Sequence, residues 1–176
     1  MKKALWILTV FFAVGTLIFC LMGESTETLA ITFGTTLYHF VMRLAVGGLV
    51  PRRTDYATES GWFVQKKWEK KFYSLLRVKK WKGLMPTYDP KEFDAGLGAE
   101  QLVRNMCHAE LVHEWIMLLS FVPLIGMLLF KAPMAFLLTS IAAACFDALF
   151  VILQRYNRPR VLLLLKRQQR QKEQRC

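Results

Sequence analysis

Apolar residues in this chain gather into four long runs separated by polar stretches of very unequal length. The runs, 4–22, 29–50, 111–130 and 134–153, each reach the ~20 residues that an α-helix needs to cross a hydrocarbon layer ~30 Å thick. The pattern predicts an all-α membrane protein with four transmembrane helices. The links "GEST" and "KAP" are too short for anything but tight connections, so the helices are expected as two hairpins. Between the hairpins lies segment 51–110, and a tail, 154–176, follows the last run; all 176 residues are expected to form a single integral membrane domain. Lys2 and Lys3 precede the first run as in a secretory leader. The apolar stretch is long for a leader core and "CLMGES" offers no small-x-small cleavage site, so a retained anchor is expected.

The periodicity changes inside the central segment. Val64, Trp68, Phe72, Leu75 and Leu76 recur at helical spacing, while Lys66, Lys67, Lys70 and Lys71 fall on other faces. One apolar and one lysine-rich face predict an amphipathic helix lying in the headgroup plane of a membrane. The following "RVKKWKGLMPTYDPKEF" is punctuated by Gly83, Pro86 and Pro90, which argues against a helix running through it. Arg77, Lys79, Lys80 and Lys82 alternate there with Val78 and Trp81. Two uses fit: a site for a phosphate-bearing ligand with an aromatic platform, or a loop held against acidic headgroups.

Composition and charge then narrow the class. The chain is 54% hydrophobic, carries a formal charge of +11 and has a pI near 9.8. A nucleic-acid-binding protein shares such a charge but not four uninterrupted apolar runs, so no nucleic-acid partner is expected. Segment 51–110 holds 12 Lys+Arg against 8 Asp+Glu, and the tail holds 8 against one, while the short links are acidic or nearly neutral. By the positive-inside rule, both termini and the central segment are cytoplasmic, in a multi-pass protein of the cell membrane. The four cysteines, Cys20, Cys107, Cys145 and Cys176, show neither zinc-site nor disulfide spacing.

Three groups of polar residues stand where lipid or its boundary is expected. In "RNMCHAELVHEW", Glu110 and His113 are three apart and share a helix face. A carboxylate that accepts a hydrogen bond from the N–H of one imidazole nitrogen leaves the other to act as a base. The same Glu-x-x-His spacing forms half of a di-iron site, but it occurs once here where that architecture needs two. His108 and His113 are five apart, unlike the HExxH pair. A polar turn anchoring the helix at the membrane surface is the third reading, and the residues alone leave it open. Within the apolar runs, His39 and Arg43 lie one turn apart on the second, and Asp147 lies on the fourth. Ionisable groups in lipid face the bundle interior and pair, which predicts an Arg43–Asp147 ion pair.

The third group is "QRYNRPR", Gln154 to Arg160. Pro159 disfavours helix at Arg158, so the fourth helix is expected to break near Tyr156 and Asn157, with a basic C-terminal helix starting at Pro159. Gln154 and Asn157 carry amides suited to freed backbone groups, and the arginines carry planar forks for phosphate or carboxylate. As a plain boundary, Tyr156 is an aromatic-belt residue and the arginines are topology anchors. That accounts for the charge but not for the amides and the proline.

"RVKKWK", "AELVH" and "QRYNRPR" with its leucine-rich basic tail, in this order, resemble the glycosyl-4,4'-diaponeurosporenoate acyltransferases, membrane enzymes of carotenoid biosynthesis. The resemblance runs from about Phe72 to the end of the chain. It departs at His108, where the family pattern has arginine, so Glu110 and His113 are the matching positions. The resemblance implies transfer of a fatty acyl group from an activated thioester donor to a hydroxyl of a glycolipid acceptor. It implies His113 as general base and Glu110 as the carboxylate orienting it, with Gln154, Asn157 or an arginine on the oxyanion. Arg155, Arg158, Lys79, Lys80, Trp81 and Lys82 would hold the donor, and Tyr156 and Arg160 complete the substrate-binding set. Such chemistry requires no cofactor and no metal. Two other classes compete: a non-catalytic membrane adaptor that binds lipid or a partner through its basic face, and a metal-dependent lipid oxidase.

Overall fold

The computed structural model describes residues 2–51, 60–86, 90–94 and 96–174. No strand occurs among them. Six α-helices are present: α1 Lys2–Leu21, α2 Glu27–Leu49, α3 Lys67–Leu75, α4 Val78–Trp81, α5 Ala99–Leu119 and α6 Pro133–Glu173. Short 3-10 turns cover Glu24–Thr26, Lys82–Leu84, Pro90–Phe93 and Val122–Leu128. Four helical stretches, Lys3–Leu21, Glu24–Leu49, Ala99–Leu128 and Pro133–Gln171, are long and apolar enough to cross a membrane. The chain divides into two compact units. One comprises Met1–Pro51 and Val112–Ala148, and the other Arg52–Leu111 and Leu149–Cys176.

In the first unit, α1 packs along α2 through aromatic rings: Phe12 meets Phe33 and Phe40, and Phe19 meets Phe33. Lipid is as apolar as these side chains, so close packing rather than water exclusion holds such helices together. Gly15 makes the approach possible, because a Cβ there would run into the Phe33 ring. The turn after α1 uses Gly23 at φ 87°, a conformation that suits a residue without a Cβ. The Thr26 hydroxyl then donates to the carbonyls of Phe19 (2.8 Å) and Gly23 (3.0 Å), satisfying helix-end acceptors that have no water partner within lipid. Hydroxyls inside α2 follow the same rule, with Thr32, Thr35 and Thr36 each donating to the carbonyl four residues back. Met42 and Val46 of α2 pack on Ile116 of α5, and the Tyr38 hydroxyl donates to the Leu119 carbonyl at 3.0 Å.

In the second unit, Phe63, Val103 and Cys107 form a small core that Val161 and Leu162 of α6 cover. The amphipathic helix expected over 64–76 is the shorter α3, and its orientation is instructive. Its buried residues are Glu69 and Tyr73, whereas Trp68, Phe72 and Leu75 are 61%, 41% and 79% exposed. The basic stretch after it, for which a ligand site and a headgroup-bound loop both fit, forms α4 and a 3-10 turn, with Val78 fully buried. Arg77, at φ 50°, makes the left-handed bend between α3 and α4, and its N–H donates to the Ser74 carbonyl.

Two sequence expectations need correction. The third apolar run is not one regular helix: α5 begins at Ala99, within the segment expected to lie outside the membrane, and after Leu119 the chain continues as 3-10 structure. Pro123, which has no N–H to donate, stands at the start of that turn. The second correction concerns "QRYNRPR". α6 does not break at Tyr156 and Asn157 but runs unbroken through Pro159 to Glu173. Pro159 removes one hydrogen bond, to the carbonyl of Arg155. The side chains of Arg155 and Arg158 before it, and the packing of Val161 and Leu162 after it, hold both sides of the proline in place.

Candidate active site

Two buried polar clusters stand out, one in each unit. The cluster of the second unit is built on the opening residues of "QRYNRPR". Arg155 directs its fork at Glu69 of α3, with Nη2 2.7 Å from Oε1 and Nε 3.2 Å from Oε2. Its Nη1 lies 2.6 Å from Oε1 of Glu110 and also donates to the Trp62 carbonyl at 2.9 Å. Arg158 forms an ion pair with the other oxygen of Glu110 and donates to the Phe63 carbonyl at 2.6 Å, its guanidinium lying over the Phe63 ring. Glu110 and Arg158 are essentially inaccessible. Two carboxylates thus face two guanidiniums, and the buried charge sums to zero. Desolvating unpaired ions costs several kcal/mol each, so only a matched set of this kind persists inside a protein.

Tyr73 closes this cluster by donating to Oε2 of Glu69 at 2.8 Å. Burial alone would raise the Glu69 carboxyl, but the hydrogen bonds from Arg155 and Tyr73 outweigh it and hold it below the usual carboxylate range. Burial, reinforced by the bond to Glu69, pushes the Tyr73 hydroxyl up. Beside the cluster, Lys82 donates to Oδ1 of Asn157 at 3.2 Å, and both Lys82 and Arg160 lie over the Tyr156 ring. Gln154 is buried, Trp81 donates its indole N–H to the Leu76 carbonyl, and Lys79, Lys80 and Arg160 are exposed. The structure therefore separates the expected substrate-binding cations. Arg155 and Arg158 are engaged by protein carboxylates, whereas Lys79, Lys80 and Arg160 face outward.

The cluster of the first unit is smaller. Nδ1 of His113 stands 2.9 Å from Oδ1 of Asp147, and Arg43 forms an ion pair with Oδ2 of the same carboxylate. Arg43 also donates to the carbonyls of His39 (3.1 Å) and Ala143 (3.3 Å) and lies over the Phe146 ring. The Arg43–Asp147 pair is the one that the polar positions in the apolar runs predict. The carboxylate on His113 is not the expected one: Asp147 takes that place, and Glu110 serves the two arginines. An ionised carboxylate only accepts hydrogen bonds, so it fixes the imidazole proton on Nδ1 and leaves the basic lone pair on Nε2.

Glu69 and Tyr73 escaped the sequence reading. The available signal was a lone acid among the lysines of α3, four residues before a tyrosine. Asp147 was recognisable as a charged residue in lipid, but its second partner, His113, was not.

A model of the glycosyl-4,4'-diaponeurosporenoate acyltransferase family matches residues 59–167, well over half of the chain. This chain belongs to that family. The match spans Glu69, Glu110, His113, Asp147 and all of "QRYNRPR", so both polar clusters lie within the family's own region except for Arg43 and His39 of α2. No curated protein and no solved structure matches the chain. Family membership and four helices suited to a membrane together describe an acyltransferase-family membrane protein.

Proposed function

We propose that the protein is a membrane O-acyltransferase that esterifies a hydroxyl of a glycolipid, a carotenoid glycoside or a similar lipid, and that His113 is its general base. The observation that carries this reading is the 2.9 Å contact between His113 Nδ1 and Asp147 in a chain of an acyltransferase family. Nε2 of His113 takes the proton of the acceptor hydroxyl as its oxygen bonds to the acyl carbon. The donor's carbon–sulfur bond then breaks, and the departing thiolate takes up the proton. Asp147 keeps the ring in the required tautomer and balances the imidazolium that forms, and Arg43 holds Asp147 in position. Proton transfer by a placed base is worth ~100 to 10,000-fold in rate.

In this reading Glu110 is part of the framework: with Glu69 it holds Arg155 and Arg158, which fasten α6 to α3 and α5. Lys79, Lys80 and Arg160 are the exposed cations that meet the phosphates of an activated donor or of anionic lipids. The exposed Trp68, Phe72 and Leu75 lie in the headgroup layer, on a helix that turns Glu69 and Tyr73 inward and leaves its lysines exposed beside them. Two helical hairpins with both termini in the cytoplasm complete the arrangement, since the lysine- and arginine-rich segments belong on that side.

The test is lipid mass spectrometry on cells that make the wild-type chain, the His113→Gln variant or neither, supplied with a carotenoid glycoside and with a general glycolipid. The expected result is a species heavier by one fatty acyl group that depends on the wild-type chain. Absence of any acyl ester, with the protein shown to be membrane-inserted, overturns the acyltransferase reading. Equal ester from His113→Gln overturns the base assignment alone.

A further inference from the structure

Asp147, His113 and the terminal nitrogens of Arg43 have partners, but within two turns the first unit buries polar groups that have none. His39 is 3% exposed, and neither of its ring nitrogens meets a hydrogen-bonding group. Ser140 is fully buried, and its hydroxyl is likewise unpartnered, as is Nε of Arg43. Buried polar atoms are nearly always satisfied, and leaving one unpaired is costly, more so in a lipid-embedded core. A serine hydroxyl within a helix has an easy remedy, donation to the carbonyl of the preceding turn. Thr32, Thr35, Thr36, Ser120 and Thr139 of the same unit all take it, and Ser140 does not.

The spacing of these groups places them on one path. His39 precedes Arg43 by four residues, and Ser140 precedes Asp147 by seven, so each shares a helix face with one member of the ion pair. Four residues further back on each helix come Thr35 and Phe136, about 6 Å of rise away. Both line an open cavity of about 490 Å³ whose walls also include Phe19, Ala30, Ile31 and Gly34. An apolar cavity therefore lies one turn from the unpartnered imidazole and hydroxyl, and the Arg43–Asp147–His113 cluster lies one turn further on along α2 and two along α6.

We propose that His39 and Ser140 bind a hydroxyl of the lipid acceptor whose tail lies in this cavity. The inference rests on the acyl-transfer reading for the identity of the lipid, but not for the existence of the site. The chemistry suits a hydroxyl: a neutral imidazole offers one donor and one acceptor, serine offers both, and the Arg43 Nε–H adds a donor. An anion would bring uncompensated charge to an already balanced ion pair, and an apolar group would leave the four polar atoms unsatisfied. The site holds one hydroxyl of the acceptor while His113 acts on another.

The experiment measures binding of a long-chain glycoside and of its O-methylated analogue to the full-length protein in a sugar-free detergent. Wild type is compared with Ser140→Ala, His39→Phe and Ala30→Trp, and acyl-transfer KM values are taken alongside. Wild type is expected to prefer the free hydroxyls about 10-fold, the contribution of one or two hydrogen bonds. Ser140→Ala and His39→Phe should erase that preference without lowering thermal stability in the absence of lipid. Ala30→Trp should weaken long-tailed glycosides more than short-tailed ones and leave the hydroxyl preference intact. A preference that persists in Ser140→Ala and His39→Phe, or no preference in wild type, overturns the site. If His39→Phe does not fold, Ser140→Ala decides alone. Hydroxyl-selective binding without any ester product would defeat acyl transfer while leaving the site in place. Ester product with an unchanged acceptor KM in Ser140→Ala would do the reverse.

Discussion

The two buried clusters contain the same kinds of side chain yet are arranged for different ends. In the second unit two glutamates meet two arginines, each carboxylate oxygen has a cationic or phenolic donor, and backbone carbonyls take further guanidinium N–H groups. In the first unit one aspartate serves an arginine and a histidine, and the next turn leaves polar atoms unmatched. A charge-matched set suits structure, because its two carboxylates and two guanidiniums neutralise one another, although Nε of Arg158 has no hydrogen-bond partner. A set with an imidazole on its carboxylate, and an unpartnered imidazole and hydroxyl within two turns of it, suits chemistry, because a substrate can complete it.

The largest effect should come from the first unit. His113→Gln keeps a polar side chain of similar reach but no base, and transfer should fall ~100 to 10,000-fold while membrane insertion and thermal stability stay near wild type. A loss of stability to match the loss of rate would make the two clusters alike and remove the distinction.

Glu110→Ala tests the opposite side. It strands Arg158 in a buried site, leaves Arg155 with Glu69 alone, and should cost about 3–5 kcal/mol, enough to aggregate the protein on detergent extraction. A Glu110→Ala variant that is stable but inactive would move Glu110 from framework to chemistry.

The Arg43–Asp147 pair allows a sharper measurement. Arg43→Asp and Asp147→Arg should each destabilise the protein, and the two together should recover folding without recovering transfer, because His113 would then face a cation. Thermal stability by size-exclusion chromatography and ester formation read the two outcomes separately. Failure of the double variant to recover any folding would count against the pair.

The smallest effect concerns pH. Glu69 ionises more readily in the folded protein than in the unfolded chain, so its contribution is complete above the unfolded carboxyl range, about pH 4 to 5, and disappears as pH falls through the lower folded value. Wild type should therefore exceed Glu69→Gln in melting temperature near neutral pH, and the gap should close in acid. A gap that widens as pH falls would contradict the sign.

Local chemistry was legible in the sequence wherever one helix sufficed to express it. The four apolar runs of membrane length are helical, the third passing into 3-10 structure after Leu119, because each backbone group must be satisfied within its own segment. The polar exceptions His39, Arg43 and Asp147 were visible as intruders in those runs, and the cost of an unpaired ion in lipid was enough to predict the Arg43–Asp147 pair. The motif "QRYNRPR" carried the family.

Partner choice was not legible, because i,i+3 spacing says which residues share a face but not what packs against it. His113 turned from its near neighbour Glu110 to Asp147, 34 positions away. Glu110 and Glu69, 41 residues apart, came to serve one arginine, which only the approach of α3, α5 and α6 could bring about. The same packing carried α6 through Pro159, where local preference alone favours a break, and turned Glu69 and Tyr73 of α3 inward. Composition and period determined which segments are helices and which belong in lipid. Long-range pairing of buried charge, whose energy outweighs any single backbone preference, decided which carboxylate faces the histidine and which arginines remain available.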